Sequence, residues 1–147
     1  MLADGDAIFR SSGSKAQPAV GVLLSCLDVL LVVGLLTFAA PCSHLDGADT
    51  PSCVWAMRAV LGAAAVIGVL AIVRMFERDE GERRGLSLGC ALLGVLVAAL
   101  PGPVVGLCAD PTMPCNAVMH PFIVAVGVAI ALVGGIDLAR RLLSLRR

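Results

Sequence analysis

The sequence predicts an all-α membrane protein, a four-helix transmembrane bundle of two pseudo-repeated helical hairpins with N- and C-termini cytoplasmic. Three observations predict it. Apolar residues make up 59% of the chain and charged residues only 15%, against about half and about a quarter in soluble domains. The apolar residues gather into four long runs, at about residues 19–40, 54–74, 86–107 and 121–139. The basic residues fall almost wholly on one side of those runs. The formal net charge is +0, so no positive field is available to hold nucleic acid. No zinc-finger, phosphate-loop or dinucleotide-binding pattern occurs in the chain.

Each run is close to the ~20 residues that cross ~30 Å of hydrocarbon as a helix. Helices satisfy their own backbone hydrogen bonds, which makes them the default spanning structure. The runs are apolar all round and lack the alternation of a barrel strand. Residues 1–18, with Asp4, Asp6, Arg10 and Lys15, read as a flexible cytoplasmic tail. The first run is longer than the apolar core of a cleaved signal and contains Asp28, so it reads as a span. The second holds Gly62, Ala63, Ala64, Ala65 and Gly68, small residues that let helices approach closely in lipid. The third opens on Gly85 and Gly89, a G-x-x-x-G step, and meets Pro101-Gly-Pro103, which should end or kink its regular part. The fourth holds Gly127, Gly134 and Gly135. Residues 19–141 thus form the membrane domain, and 142–147 a basic cytoplasmic tail.

Lys and Arg decide orientation. Arg10 and Lys15 precede the first span, Arg74, Arg78, Arg83 and Arg84 separate the second and third, and Arg140, Arg141, Arg146 and Arg147 follow the fourth. The loops 41–53 and 108–120 contain neither Lys nor Arg and are read as external. Arg58 is the exception and is expected to snorkel at the outer interface. The expected location is the cell membrane, with the lipid bilayer as first partner.

The halves resemble each other. Gly21 and Cys26 match Gly85 and Cys90, and Thr50, Cys53, Met57 and Arg58 match Thr112, Cys115, Met119 and His120. Each half is a helix, an external cysteine loop and a helix, related in parallel. Cys26 and Cys90 fall inside spans and read as small packing residues.

Cys42, Cys53, Cys108 and Cys115 lie in or beside the external loops, where an oxidising compartment lets disulfides persist. The repeat favours Cys42–Cys53 and Cys108–Cys115, each closure contributing roughly 2–3 kcal/mol on the loop-entropy account. Two alternatives stay open. His44, Met113, Met119 and His120 with the cysteines form a soft donor set for copper or zinc. Thiol–disulfide exchange is the other, although the Cys-x-x-Cys pair usual for it is missing. Asp28 sits about 15 Å into the first span at helical rise. A carboxylate there is a functional-site hypothesis by default, with Arg74 as a candidate ion-pair partner.

The stretch Leu100-Pro-Gly-Pro-Val-Val-Gly-Leu-Cys-Ala-Asp-Pro-Thr-Met-Pro-Cys115, preceded by Gly85-Leu-Ser-Leu-Gly89, resembles a bacterial membrane family known as domain of unknown function 4418. The matching part of that family reads Pro, Ile-Gly-Val-Cys, then Met-Pro-Cys. The resemblance covers about residues 20–140. It implies four helices, a cysteine in the loop region of each half, a place in the bacterial inner membrane, and association with lipoprotein-release-type transporters. The family tends to carry Met two residues before the first-half cysteine, where this chain has Pro51.

No catalytic residue is assigned. The expected function is a small membrane protein without its own catalysis, an accessory or structural subunit of a larger membrane complex such as a transporter, or a homo-oligomer. The alternative is a small transporter, or a metal- or thiol-redox-handling protein, using the external Cys/Met/His loops and Asp28.

Overall fold

The computed structural model describes residues 5–39, 52–77, 79–106 and 112–145, with side chains from residue 19 to 144 of those segments. The described residues form four α-helices: α1 Gly5–Thr37, α2 Ser52–Phe76, α3 Glu80–Ala99 and α4 His120–Leu145. A single π-helical turn, Cys115–Met119, leads straight into α4. Each helix packs against the next, and α1 also packs against α4.

Neighbours run antiparallel, as their contacts show. On α1, Gly21 faces Met75 while Asp28 faces Gly68 of α2. Ser87 of α3 lies beside Gly134 of α4, and Ala98 beside Gly127. One end of the molecule therefore carries Arg74, Ser87, Asp137 and Arg141, and the other carries Cys53, Pro101–Val105 and Cys115.

The helices begin and end where local chemistry directs. At the C-terminus of α1, the Ala39 amide donates to the Gly34 carbonyl at 2.9 Å. Asp79 caps α3, its Oδ1 accepting from the Gly81 amide at 2.9 Å. Glu80 and Glu82 occupy the first turn, where negative charge complements the helix dipole. Glu82 is fully exposed, and its carboxyl sits above the ordinary value because in its protonated form it donates a hydrogen bond to Glu77 and because the charges of Glu77 and Asp79 lie nearby.

Pro101 and Pro103 lack amide donors, so α3 cannot continue through them. The chain closes a tight loop instead. Gly102 takes φ 106°, a left-handed conformation open to glycine. Its amide donates to the Val105 carbonyl at 3.0 Å, and the Val105 amide donates to the Leu100 carbonyl at 2.9 Å. The π-turn has a similar cause. Pro121, the second residue of α4, offers no donor, and its ring crowds the preceding turn. The His120 amide reaches back five residues to the Cys115 carbonyl, which widens that turn.

Several expected boundaries shift. The tail is not wholly outside the helices: α1 begins at Gly5, and its backbone runs helically through residues 5–18 and past Pro18. Ala7, Arg10, Lys15, Ala16 and Gln17 all favour helix, which explains the continuation. The expected C-terminal tail is likewise helical to Leu145. The largest change concerns the third run. Three helical stretches, Ala19–Thr37, Ser52–Phe76 and Cys115–Ser144, are long and apolar enough to cross a membrane. The third run is not among them. Helix α3 starts with charged Glu80, Glu82, Arg83 and Arg84 and stops at Ala99. Only Gly85–Ala99 is apolar helix, shorter than the ~17–25 residues of a full crossing.

The α3–α4 seam is built from residues without room to spare. A Cβ on Gly94 would meet the Ala131 amide nitrogen at 2.6 Å, and one on Gly127 would meet the Ala98 nitrogen at 2.7 Å. One on Gly134 would meet the Ser87 carbonyl at 2.9 Å. Ser87, Ala91, Gly94 and Ala98 thus face Gly127, Ala131 and Gly134, at alternating spacings of four and three that keep one face of each helix in register. The G-x-x-x-G step at Gly85 is not part of this seam. Nothing lies within 4 Å of a Gly85 Cβ, and Gly89 meets only Leu70 of α2. Gly62 and Gly135 also face open space. Their smallness is not used, because helix rotation turns those positions outward.

This seam predicts a sharp positional contrast. Gly94→Val or Gly127→Val should destabilise the folded protein by about 1–3 kcal/mol or more through overpacking. Gly135→Ala should be neutral or slightly stabilising, since it improves helix propensity. Thermal unfolding in detergent, followed by circular dichroism, measures the difference.

Candidate functional site

At the end carrying the basic residues, a polar network ties α2, α3 and α4 together. The Arg74 side chain is only 1% exposed. Its Nη2 donates to Asp137 Oδ2 at 2.8 Å, and its Nη1 donates to the Ser87 hydroxyl. Ser87 Oγ lies 2.8 Å from both Asp137 Oδ2 and the Arg83 carbonyl, so its single proton serves one of them at a time. Arg141 Nε, one turn after Asp137, donates to the same Oδ2 at 2.9 Å, while its Nη1 reaches Glu80 Oε2. Two guanidinium groups thus meet two carboxylates, and no net charge remains buried. Opposite charges inside apolar surroundings are tolerable only when paired in this way.

Asp28 stands apart from that network. It is 8% exposed, and its Oδ1 has no hydrogen-bond partner. Its Oδ2 lies 2.8 Å from where a Cβ on Gly68 would stand, so glycine at 68 makes room for the carboxyl. The expected Asp28–Arg74 pair does not form. Asp137 and Ser87 occupy the Arg74 guanidinium instead, because α4 and α3 bring them to the end of α2 where Arg74 lies. Ser25, three residues before Asp28 and on the same side of α1, also has a buried hydroxyl without a partner.

At the opposite end, Cys53, Cys115 and Met119 are wholly buried, with Met57 and Met113 packed against the same cluster. Cys53 and Cys115, which match in the sequence repeat, both enter the core at the first turn of the second helix of their half. Cys53 is a free thiol, and Cys42, its expected partner, lies outside the described residues. Helix α2 turns the Cys53 side chain into the helix interface. Cys115 makes no disulfide with another described cysteine. Cys42, His44 and Cys108 lie outside the described residues. Among the described residues no group of three or more His, Cys, Asp or Glu side chains is placed to hold a metal ion.

His120 is half-buried beside the proline-flanked loop, its Nε2 3.7 Å from the Cβ position of Gly102. Arg58 stacks over Trp55 at 5.4 Å, and both side chains face outward, as an interfacial anchor does. Phe38 and Phe122 meet edge to face at 5.0 Å, with the Phe122 ring over Gly34. The matched cysteines of the first and third helices diverge: Cys90 is buried, whereas Cys26 is exposed.

Residues 24–139 match the family described as Domain of unknown function (DUF4418). The chain belongs to that family. The match runs from the middle of α1 to the Asp137 turn of α4, so it spans Asp28, the α3–α4 seam and the Arg74–Asp137 network. No curated protein and no solved structure matches this DUF4418 protein.

From the sequence, Arg74 is a candidate partner for Asp28 and not for Asp137, and neither Ser87 nor Ser25 is singled out. Arg74 and Asp137 are opposite charges at the basic ends of two apolar runs, a signal strong enough to have suggested the pair. Ser87 left no such trace, since its role depends on which face of α3 meets α2 and α4.

In the DUF4418 chain, Asp137→Asn should leave Arg74 buried without a counter-ion and cost about 3–5 kcal/mol of stability. Glu80→Gln, which touches only the half-exposed end of the network, should cost no more than about 1 kcal/mol. Urea or thermal denaturation of the two variants in one detergent provides the comparison.

Proposed function

We propose that this protein is a multi-pass cell-membrane protein that serves as a non-catalytic accessory or structural subunit of a larger membrane complex. In this reading the four helices form a transmembrane bundle, both termini are cytoplasmic, and loops 41–53 and 108–120 face outward. The asymmetry of Lys and Arg supports the orientation. The antiparallel packing is consistent with it, because the Arg74, Arg83 and Arg141 ends of the helices lie together.

The observation that carries the subunit reading is the short third helix. From Gly85 the apolar part of α3 climbs only roughly 20 Å before Pro101. The irregular backbone of Leu100–Val105 then follows at a depth where hydrocarbon would leave polar groups unsatisfied. Irregular backbone is tolerated there when protein covers it. The outward face of α3, with Leu88, Leu92, Val95 and Leu96, is exposed, as is Val104 in the loop. A neighbouring membrane protein, or another copy of the chain, packed along α3 would shield both.

Two measurements test the reading. Gentle extraction followed by native mass spectrometry should release the protein bound to a larger membrane partner or to copies of itself; a lone monomer overturns it. Orientation is tested on intact cells with a membrane-impermeant maleimide. Cys42 and Cys108 should label from outside, while buried Cys53 and Cys115 should label only after denaturation; labelling of Cys42 or Cys108 solely from the cytosolic side overturns the topology.

A further inference from the structure

Of the four buried side-chain atoms without a hydrogen-bond partner among the described residues, two lie on one side of α1 and the other two are the Nε atoms of Arg74 on α2 and Arg84 on α3. Asp28 Oδ1 and Ser25 Oγ are both enclosed and both without a hydrogen-bond partner. They are spaced three apart, hence neighbours on one helix face. No described cation, Arg84 included, forms an ion pair with Asp28. On α2, Arg74 is held by Asp137 and Ser87. On α4, Asp137 is itself an anion already bonded to Arg74 and Arg141. On α3, the Cys90 thiol is buried and lies within electrostatic reach of Asp28, and a neutral thiol supplies no positive charge.

A lone ionised carboxylate in such surroundings is far more costly than a neutral acid, which is why buried carboxyls without a counter-ion take up a proton. Beside these groups lies a groove of about 300 Å³ on the outer surface of α1 and α2, lined by Val22, Ser25, Cys26, Val29 and Met75. Its walls are almost wholly apolar, and Ser25 belongs to it. An uncharged apolar molecule dissolved in lipid can therefore approach the Ser25–Asp28 face without crossing water.

We propose that Asp28, with Ser25 beside it, is a proton-binding site within the membrane, open to the lipid phase along the α1–α2 groove. A carboxylic acid held in this way has a hydroxyl to donate, and Ser25 Oγ offers an acceptor one turn away. The site binds a proton, and Gly68 provides the space in which the carboxyl sits. The inference rests on α1 lying in the bilayer, and it holds whether or not the protein is a subunit of a larger complex.

Dicyclohexylcarbodiimide tests it on the full chain in lipid nanodiscs. The reagent is apolar and reacts with a protonated carboxyl. The acid proton passes to a carbodiimide nitrogen while the carboxyl oxygen bonds to the central carbon. The adduct then rearranges to an N-acylurea that retains the whole reagent, with nothing lost. The expected result at neutral pH is a stable adduct mapped by peptide mass spectrometry to Asp28. The adduct should be lost in Asp28→Asn, and a charged, water-soluble carbodiimide should leave Asp28 unmodified. Peptide mapping of the unaltered chain decides the matter even if Asp28→Asn fails to fold. Asp28 remaining free of adduct, or reacting as fast with the water-soluble reagent, overturns the proposal. Native mass measurement reads the subunit state separately, so the two readings fail independently.

Discussion

Along the α3–α4 seam the backbones of two helices come so close that no Cβ fits between them. Gly94, Gly127 and Gly134 each face a backbone nitrogen or carbonyl of the opposite helix at 2.6–2.9 Å from the missing Cβ position. In lipid there is little hydrophobic gain from helix association, since the solvent is as apolar as the side chains. Close van der Waals packing must supply it. This seam fixes the register of α3 against α4, and much else follows from that register. It sets Ser87 opposite Asp137, within reach of Arg74 on α2.

The polar network then locks what the seam aligns. Dispersion is non-directional and tolerates small sliding, whereas three donors converging on Asp137 Oδ2 do not. The network draws on α2, α3 and α4 and leaves α1 out. Helix α1 is instead fitted by shape, through Gly21 against Met75, Asp28 against Gly68, and Phe122 over Gly34. Among the described side chains, Asp28, buried and with an Oδ1 that lacks a partner, thus lies on a helix that no ion pair holds. These two facts have a common root, because the available guanidinium was already committed to α4.

The two prolines after α3 and the one at the start of α4 shape the opposite end. Each removes a backbone donor, and the chain answers locally, with a left-handed glycine at 102 and a widened turn at 115–119. These irregularities bring His120 up to the Gly102 loop and turn Cys115 and Met119 inward. The cysteines that seemed destined for the external loops are in part core residues. Cys53 packs in the helix interface, where a thiol behaves as a small hydrophobe.

The sequence by itself determined the all-helical class, the approximate extent of α2 and of the apolar parts of α1 and α4, and the separation of basic and non-basic ends. Those properties follow from the length and polarity of each run, which are local sums that any rotation of a helix leaves unchanged. The truncation of α3 was only half legible: Pro101-Gly-Pro103 announced a break, but the charged first turns had to be counted within the helix to show how little apolar length remained. Which small residues form the seam, that Arg74 meets Asp137 and not Asp28, and that Cys53 faces inward were decided by the tertiary structure alone. Each depends on the rotation of one helix about its axis against another. That rotation is set by contacts between residues far apart in the chain, and one helical period of 3.6 residues presents every face equally until a neighbour selects one.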